Sequence, residues 1–280
     1  MPRTRSFVQV DVFSTIPYSG NPVAVVLDGT GLTDEEMQRL ARWTNLSETT
    51  FVLPPTVPGA DYRLRIFTPQ GELPFAGHPT LGSARGWLDD GGVPQHGDRI
   101  VQECAAGLVI VRQGQDTLSF AAPPRVREGA LDDEHLHRFV SALGITPDRV
   151  VAHQWVDNGP GWAVLLLPTA EEVLALEPDL SLIPTAMVGA IGAHPDGHRH
   201  HFELRTFAPG AGVPEDPACG SMNAAVGQWL TSTGAAPSAY RVSQGTRLGR
   251  AASIEITADP DGTVWVSGAA TVCVRGSITL

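Results

Sequence analysis

The sequence is short of cysteine, of positive charge and of long apolar runs. Its three cysteines, Cys104, Cys219 and Cys273, are scattered through 280 residues. They are too few and too far apart for a disulfide framework or a zinc cluster. Nineteen basic residues face thirty acidic ones, a net charge of −11. That balance excludes a nucleic-acid groove, which needs a clustered cationic surface. No apolar run approaches the ~20 residues of a membrane span. The first residues run straight into a strand pattern, with no apolar export segment. Phosphate-binding loops, dinucleotide fingerprints and low-complexity tracts are also missing. The expectation is a cytoplasmic protein with neither a membrane nor a nucleic acid as partner.

What is present favours a turn-rich, strand-rich α+β protein. Hydrophobic residues make up 42% of the chain, enough for real cores, and there are 30 glycines and 23 prolines. Helical periodicity is intermittent, so strands and turns dominate. The length suggests two domains of roughly 150 residues each.

Along the chain, residues 7–13, 23–27, 48–53 and 62–67 read as strands. Thr33 and Glu36 form a capping box for a helix that runs to Thr44, with Met37, Leu40 and Ala41 on its inner face. A second helix starts near His78-Pro79, since proline suits a first turn, and stops near Asp90-Gly91. Strands near 100–112 and 117–121 complete a first lobe, residues 1–124. Residues 122–129 look like a linker. The second lobe, residues 125–280, offers a helix over 132–143 ended by Gly144. Strands at 150–156 and 162–167, a helix at 169–176, and a strand at 202–207 follow. A helix from about 217–220 to Thr231 comes next, and Asp261-Gly262 marks a turn between apolar runs. The last strand is placed so that it could return to the first lobe.

One segment occurs twice. Arg65-Ile-Phe-Thr-Pro69 leads to Phe75-Ala-Gly77-His78-Pro79. Arg205-Thr-Phe-Ala-Pro209 leads to Ala218-Cys219-Gly220-Ser221. The arginines lie 140 residues apart and the glycines 143 apart. Two similar lobes usually close on one another and share a site in the cleft. In each copy a strand runs into a glycine turn that opens a helix. Such a turn leaves backbone N–H groups unpaired at the positive end of the helix dipole, a cradle for a small carboxylate. Gly77 and Gly220 would admit a ligand close to the backbone. His78 titrates near neutrality and is suited to proton transfer. The acidic pair Glu215-Asp216 could pin a histidine or a substrate amine.

These and further motifs resemble the phenazine-biosynthesis-like PhzF family, which has the diaminopimelate epimerase fold. The resemblance rests on Asp11-Val-Phe13, Gly20-Asn-Pro22, Asn45-Leu-Ser-Glu-Thr-Thr-Phe51 and Arg65-Ile-Phe-Thr-Pro69. It continues through Glu72-Leu-Pro-Phe-Ala-Gly-His-Pro-Thr80, Glu215-Asp-Pro-Ala-Cys-Gly-Ser221, and Gln244-Gly245 with Gly249-Arg250. It implies two similar lobes related by a pseudo-two-fold, each a barrel-like sheet around a central helix, and a homodimer. It also implies isomerisation of a compound such as trans-2,3-dihydro-3-hydroxyanthranilate without a metal or cofactor. Glu48 then matches the residue that lifts a proton from one ring carbon and returns it to another. His78 and Asp216 match its catalytic partners. Gly77, Gly220 and Ser221 match positions that hold the substrate, with Cys219 beside them. A carboxylate enclosed by apolar surface suits this role, because exclusion of water protects a carbanion-like intermediate.

Two other readings compete. Amino-acid epimerases of this fold use two opposed cysteines, one per repeated turn. Here Cys219 stands in the second turn but Ala76 stands in the first, so a two-thiol mechanism is unavailable. Chemistry resting on Cys219 alone is one alternative, although a small apolar residue at a tight helix start explains it as well. A non-catalytic binding role on the same fold is the other. The chain's Ala, Arg, Gly and Pro usage suits a GC-rich bacterial genome and secondary metabolism. The histidines at 198–201 read as a solvated loop rather than a metal site. Cys104 and Cys273 read as core, and Trp43, Trp87 and Trp229 as helix packing groups.

Overall fold

The computed structural model describes residues 3–280 and separates into two compact units, residues up to Ala121 with Ser267–Leu280, and Ala122–Val266. In the first unit the chain runs through β1 (Thr4–Val12), β2 (Asn21–Val26), α1 (Asp34–Thr44), β3 (Thr49–Leu53) and β4 (Tyr62–Phe67). It continues through β5 (Glu72–Leu73), α2 (Gly77–Asp89), β6 (Arg99–Cys104), β7 (Gly107–Gln113) and β8 (Leu118–Ala121). The Thr33 hydroxyl accepts the Glu36 N–H while the Glu36 carboxylate accepts the Thr33 N–H, a complete capping box. Such a cap contributes about 1 kcal/mol. Asn45, left-handed at φ 54°, ends α1, and Met37, Leu40 and Ala41 pack into a core with Val26, Phe51 and Phe67.

Helix α2 is buried on nearly every side, at nine of its thirteen residues. A helix that is enclosed all round is a central one. It packs against β1, β2, β3, β4 and β8. A Cβ at Gly82 would lie 2.3 Å from Val23 Cγ1, so glycine lets the helix lie close on the sheet. Around it the strands pair β1–β2 antiparallel, β2–β3 parallel, β3–β4 antiparallel, β4–β6 parallel and β6–β7 antiparallel.

The second unit contains β9 (Arg127–Gly129), α3 (Asp133–Leu143), β10 (Ala152–Asp157), β11 (Ala163–Leu167), α4 (Ala170–Ala175) and β12 (Val188–Ala193). Then follow β13 (Phe202–Ala208), β14 (Val213–Asp216), α5 (Gly220–Ser232), β15 (Ala239–Gln244) and β16 (Ala252–Ala258). Its pairings repeat those of the first unit: β10–β11 antiparallel, β11–β12 parallel, β12–β13 antiparallel, β13–β15 parallel, β15–β16 antiparallel. Helix α5 matches α2 and is likewise buried along most of its length. Strand β17 (Val264–Gly268) carries the chain over the boundary. Strand β18 (Ala270–Thr279) then pairs antiparallel with β1 in the first unit. The fold is α+β, with the same connection order in both units.

Several local expectations need correction. Residues 100–112 are not one strand but the hairpin β6–β7, turned ahead of Gly107 at φ 108°. The expected linker contains β9, which pairs with β10 although its sequence Arg-Glu-Gly shows no apolar alternation. Strand β12 was not expected, because its sequence Val-Gly-Ala-Ile-Gly-Ala lacks alternation. Trp43 is 78% exposed rather than a packing group, since it lies outside the buried face of α1. Cys104 is buried as expected, but Cys273 is only half-buried.

The histidines at 198–201 lie on an irregular, largely exposed segment ahead of β13, as a solvated loop requires, with the exception of His200. His200 is buried with its Nε2 at 3.0 Å from Ser253 Oγ, and the rings of His194 and His198 stack at 4.0 Å. Their nitrogens face separate partners instead of converging on one point.

Candidate active site

In the first unit, Glu48 stands just ahead of β3, and its carbonyl accepts the Ala24 N–H at 3.4 Å. His78 is the second residue of α2. Its Nε2 lies 3.3 Å from Glu48 Oε2, with side chains 5% and 14% exposed respectively. The other imidazole nitrogen, Nδ1, is 3.4 Å from Asn21 Nδ2, and the ring also hydrogen-bonds the Pro22 backbone. Burial pushes the His78 pKa down to about 3, so the ring is neutral at physiological pH. Asp11 holds the loop that carries Asn21, its carboxylate accepting the Ser19 and Gly20 N–H groups at 2.9 Å each. A Cβ on Gly20 would fall 2.1 Å from the Val12 carbonyl oxygen, so no side chain fits there. Thr50 ties β3 to α2 through Ser83 at 2.8 Å. The motif residues Asp11, Gly20 and Asn21 therefore form the scaffold of the Glu48–His78 pair. Gly77 opens α2 behind Ala76, and no side chain caps this helix start.

In the second unit, Asp216 ends β14 and Cys219 is the N-cap of α5. The Asp216 carboxylate accepts the Ala218 N–H at 3.0 Å and a hydrogen bond from the Cys219 thiol. Burial nevertheless outweighs these bonds and pushes its pKa up to about 6. The Cys219 N–H donates to Gln244 Oε1 at 3.1 Å. Two donors of the expected anion cradle are thus occupied by the protein itself at α5. Ser221 Oγ accepts from Trp162 Nε1 at 3.0 Å and lies 3.4 Å from Cys219 Sγ. Asn158 Nδ2 donates to the Ser221 carbonyl at 2.9 Å. Trp162, Asn158, Asn21 and Gln244 were not singled out from the sequence as contacts of the site. Only the motifs that contain Asn21 and Gln244 hinted at their importance.

The duplicated arginines have a structural role. Arg65 grips Glu72 in bidentate fashion at 2.7 and 2.6 Å and reaches Asp34 on α1. Arg205 grips Glu215 at 2.9 and 2.8 Å and reaches the Leu176 carbonyl at the end of α4. Each guanidinium lies 5.0 Å from a phenylalanine ring, Phe67 or Phe207. Glu215 is therefore engaged by Arg205 instead of pinning a histidine or a substrate amine.

Two copies of one barrel-like sheet, each wrapped on a central helix, define an α+β protein of the diaminopimelate epimerase fold. The motifs at both helix starts narrow this class further. The chain belongs to the phenazine biosynthesis-like protein family, PhzC-PhzF, whose model matches residues 10–276. It is 40% identical to a Schizosaccharomyces pombe protein named antisense-enhancing sequence 1, over 97% of both chains. It is 35% identical to trans-2,3-dihydro-3-hydroxyanthranilate isomerase of Pseudomonas fluorescens, covering 98% of this chain and 99% of the relative. A crystal structure of a Bacillus anthracis PhzF-family protein superimposes with a TM-score of 0.82 at 22% identity, covering 99% and 100% of the two chains. That likeness speaks for the fold. The chain is an enzyme of a family that includes isomerases.

Proposed function

We propose that this chain is a cofactor-independent isomerase that shifts a proton, and with it a double bond, in a small amino- or hydroxy-substituted carboxylate, in the manner of trans-2,3-dihydro-3-hydroxyanthranilate isomerase. The observation that carries the reading is the enclosed pair of Glu48 Oε2 and His78 Nε2 at 3.3 Å. Glu48 takes a proton from one carbon, and the electron pair of that C–H bond moves into the conjugated system. The double bonds shift, and Glu48, whose carboxyl proton exchanges with solvent between the two steps, delivers a proton to a second carbon. Substrate and product are isomers, so no oxidant, reductant or co-reactant is needed.

Neutral His78 orients Glu48 and the substrate without adding a charge that would compete for the carboxylate. Asp216, in its ionised form, accepts from a substrate amino group. Gly77, Gly220 and Ser221 bind the polar groups, with the Ser221 hydroxyl set by Trp162. The sequence has no lysine, so a lysine Schiff base is not available to stabilise the intermediate. Ala76 in place of a second thiol removes the two-cysteine route. Cys219 is buried and its thiol is engaged by Asp216 and Ser221, which disfavours a nucleophilic or basic role.

The test uses a dihydro-hydroxyanthranilate-type diene acid in deuterated water. Solvent deuterium should enter the product with the wild-type protein and not with Glu48→Gln. Full activity in that variant overturns the assignment.

A further inference from the structure

The repeat places a buried glutamine on the strand that runs parallel to the fourth or the thirteenth, once in each unit. Gln102 on β6 accepts from Tyr62 and donates to Thr80 at 3.1 Å each, joining the sheet to the first turn of α2. Gln244, the last residue of β15, is fully buried and does more. Its Oε1 accepts from the Cys219 N–H at 3.1 Å and from Asn223 Nδ2 at 2.9 Å. Its Nε2 donates to Thr206 Oγ1 at 3.2 Å and to the Asp216 carbonyl at 2.9 Å. A side-chain amide has two donors and two acceptor sites, so this one is used completely. The next residue, Gly245, has φ 85°, and a Cβ there would lie 2.6 Å from the Pro217 carbonyl oxygen. The end of β15 therefore lies directly on the Asp216–Cys219 turn.

We propose that Gln244 is a positioning residue that clamps the Asp216–Cys219 turn at both ends and so fixes the setting of the Asp216 carboxyl. The proposal rests on the reading of Asp216 as a functional group. On one side of that carboxyl the clamp holds the Asp216 carbonyl. On the other it takes the Cys219 N–H and withholds that donor from the carboxylate. Thr206 and Asn223 anchor the clamp in β13 and α5. Hydrogen bonds to a carboxylate favour its charged form, and enclosure disfavours it. Releasing the turn would free a donor and loosen the enclosure, and both effects lower the Asp216 pKa. Gln102 contacts Tyr62 and Thr80 instead of the Ala76–His78 segment, so it serves as a built-in control.

The experiment is a carboxyl titration of the full-length protein carrying 13C-labelled aspartate. The Asp216 resonance is assigned by its loss in Asp216→Asn. Wild type should titrate near 6. Gln244→Met should titrate about one unit lower, and Gln102→Met should match wild type. If Gln244→Met does not fold, Thr206→Val takes its place, with a smaller shift in the same direction. A folded Gln244→Met with the wild-type midpoint overturns the clamp, as does an equal shift in Gln102→Met. The readout is independent of turnover. Activity retained in Glu48→Gln would overturn the proposed reaction while leaving the clamp standing.

Discussion

Arg205 holds Glu215 through two parallel hydrogen bonds, with side chains only 4% and 12% exposed. Arg65 holds Glu72 in the same geometry, but there Glu72 is 35% and the second partner, Asp34, 83% exposed. The duplication thus preserves a staple while changing its burial. Removing one partner of a buried pair leaves an uncompensated charge and costs ~3–5 kcal/mol. An exposed pair contributes ~1 kcal/mol or less. Arg205→Met should therefore lower the urea midpoint far more than Arg65→Met. Equal losses would refute the view that burial separates the two staples.

The stability of the protein should depend on pH through two groups of opposite sign. His78 has a folded pKa near 3, against about 6.5 when unfolded. The unfolded chain therefore binds its proton first, and stability is lost as pH falls below that unfolded value. Asp216 has a folded pKa near 6, against about 3.9 when unfolded. The folded chain binds its proton first, and stability is lost as pH rises from about 4 to 6. Each slope can reach about 1.4 kcal/mol per pH unit. Between pH 6 and 4 they oppose each other. On acidification over that range, Asp216→Asn should lose stability more steeply than wild type and His78→Gln less steeply. Urea denaturation at the two pH values checks both, and parallel slopes in all three proteins would count against them.

The same Asp216 ionisation should appear in catalysis. Only the carboxylate form can accept from a substrate amine while keeping the charge complementarity of an ion pair. The acid limb of kcat/KM should therefore fall off below about pH 6. In Asp216→Asn the rate on the plateau above about pH 6 should be lower and that limb should vanish. A limb that survives the substitution belongs to another group.

Much of the scaffold was legible because local chemistry declares it. Thr33 with Glu36, and Gly144 after α3, are signals that depend on neighbours in sequence. Strand β12 was hidden because its glycines answer to distant packing. A Cβ at Gly189 would lie 2.8 Å from Met222 Cε, and one at Gly192 would lie 2.3 Å from the Thr169 carbonyl oxygen. The same holds for the site. Glu48, His78 and Asp216 stood out through their motifs. The roles of Gln244, whose partners on the strand and at the helix start lie 38 and 25 residues away, and of Trp162, 59 residues from Ser221, come from tertiary contacts alone. The Arg-x-Phe repeat drew attention to the turns that open α2 and α5, and its arginines grip Glu72 and Glu215 there.

Thiol chemistry offers a final discrimination. Cys219 is 5% exposed and its thiol is held by Asp216 and Ser221. Cys104 is also buried, and that burial raises its thiol pKa, which lowers its thiolate fraction. Alkylation requires an accessible thiolate, so the half-buried Cys273 on β18 should react first with iodoacetamide. Peptide mapping after brief native-state treatment should find label on Cys273, with isomerase activity kept. If the enzyme is instead inactivated in step with labelling of Cys219, that thiol is reachable from solvent and sits where the substrate binds. Glu48 would then lose its claim as the sole proton carrier, because a reactive thiol next to Asp216 could serve as a base in its own right.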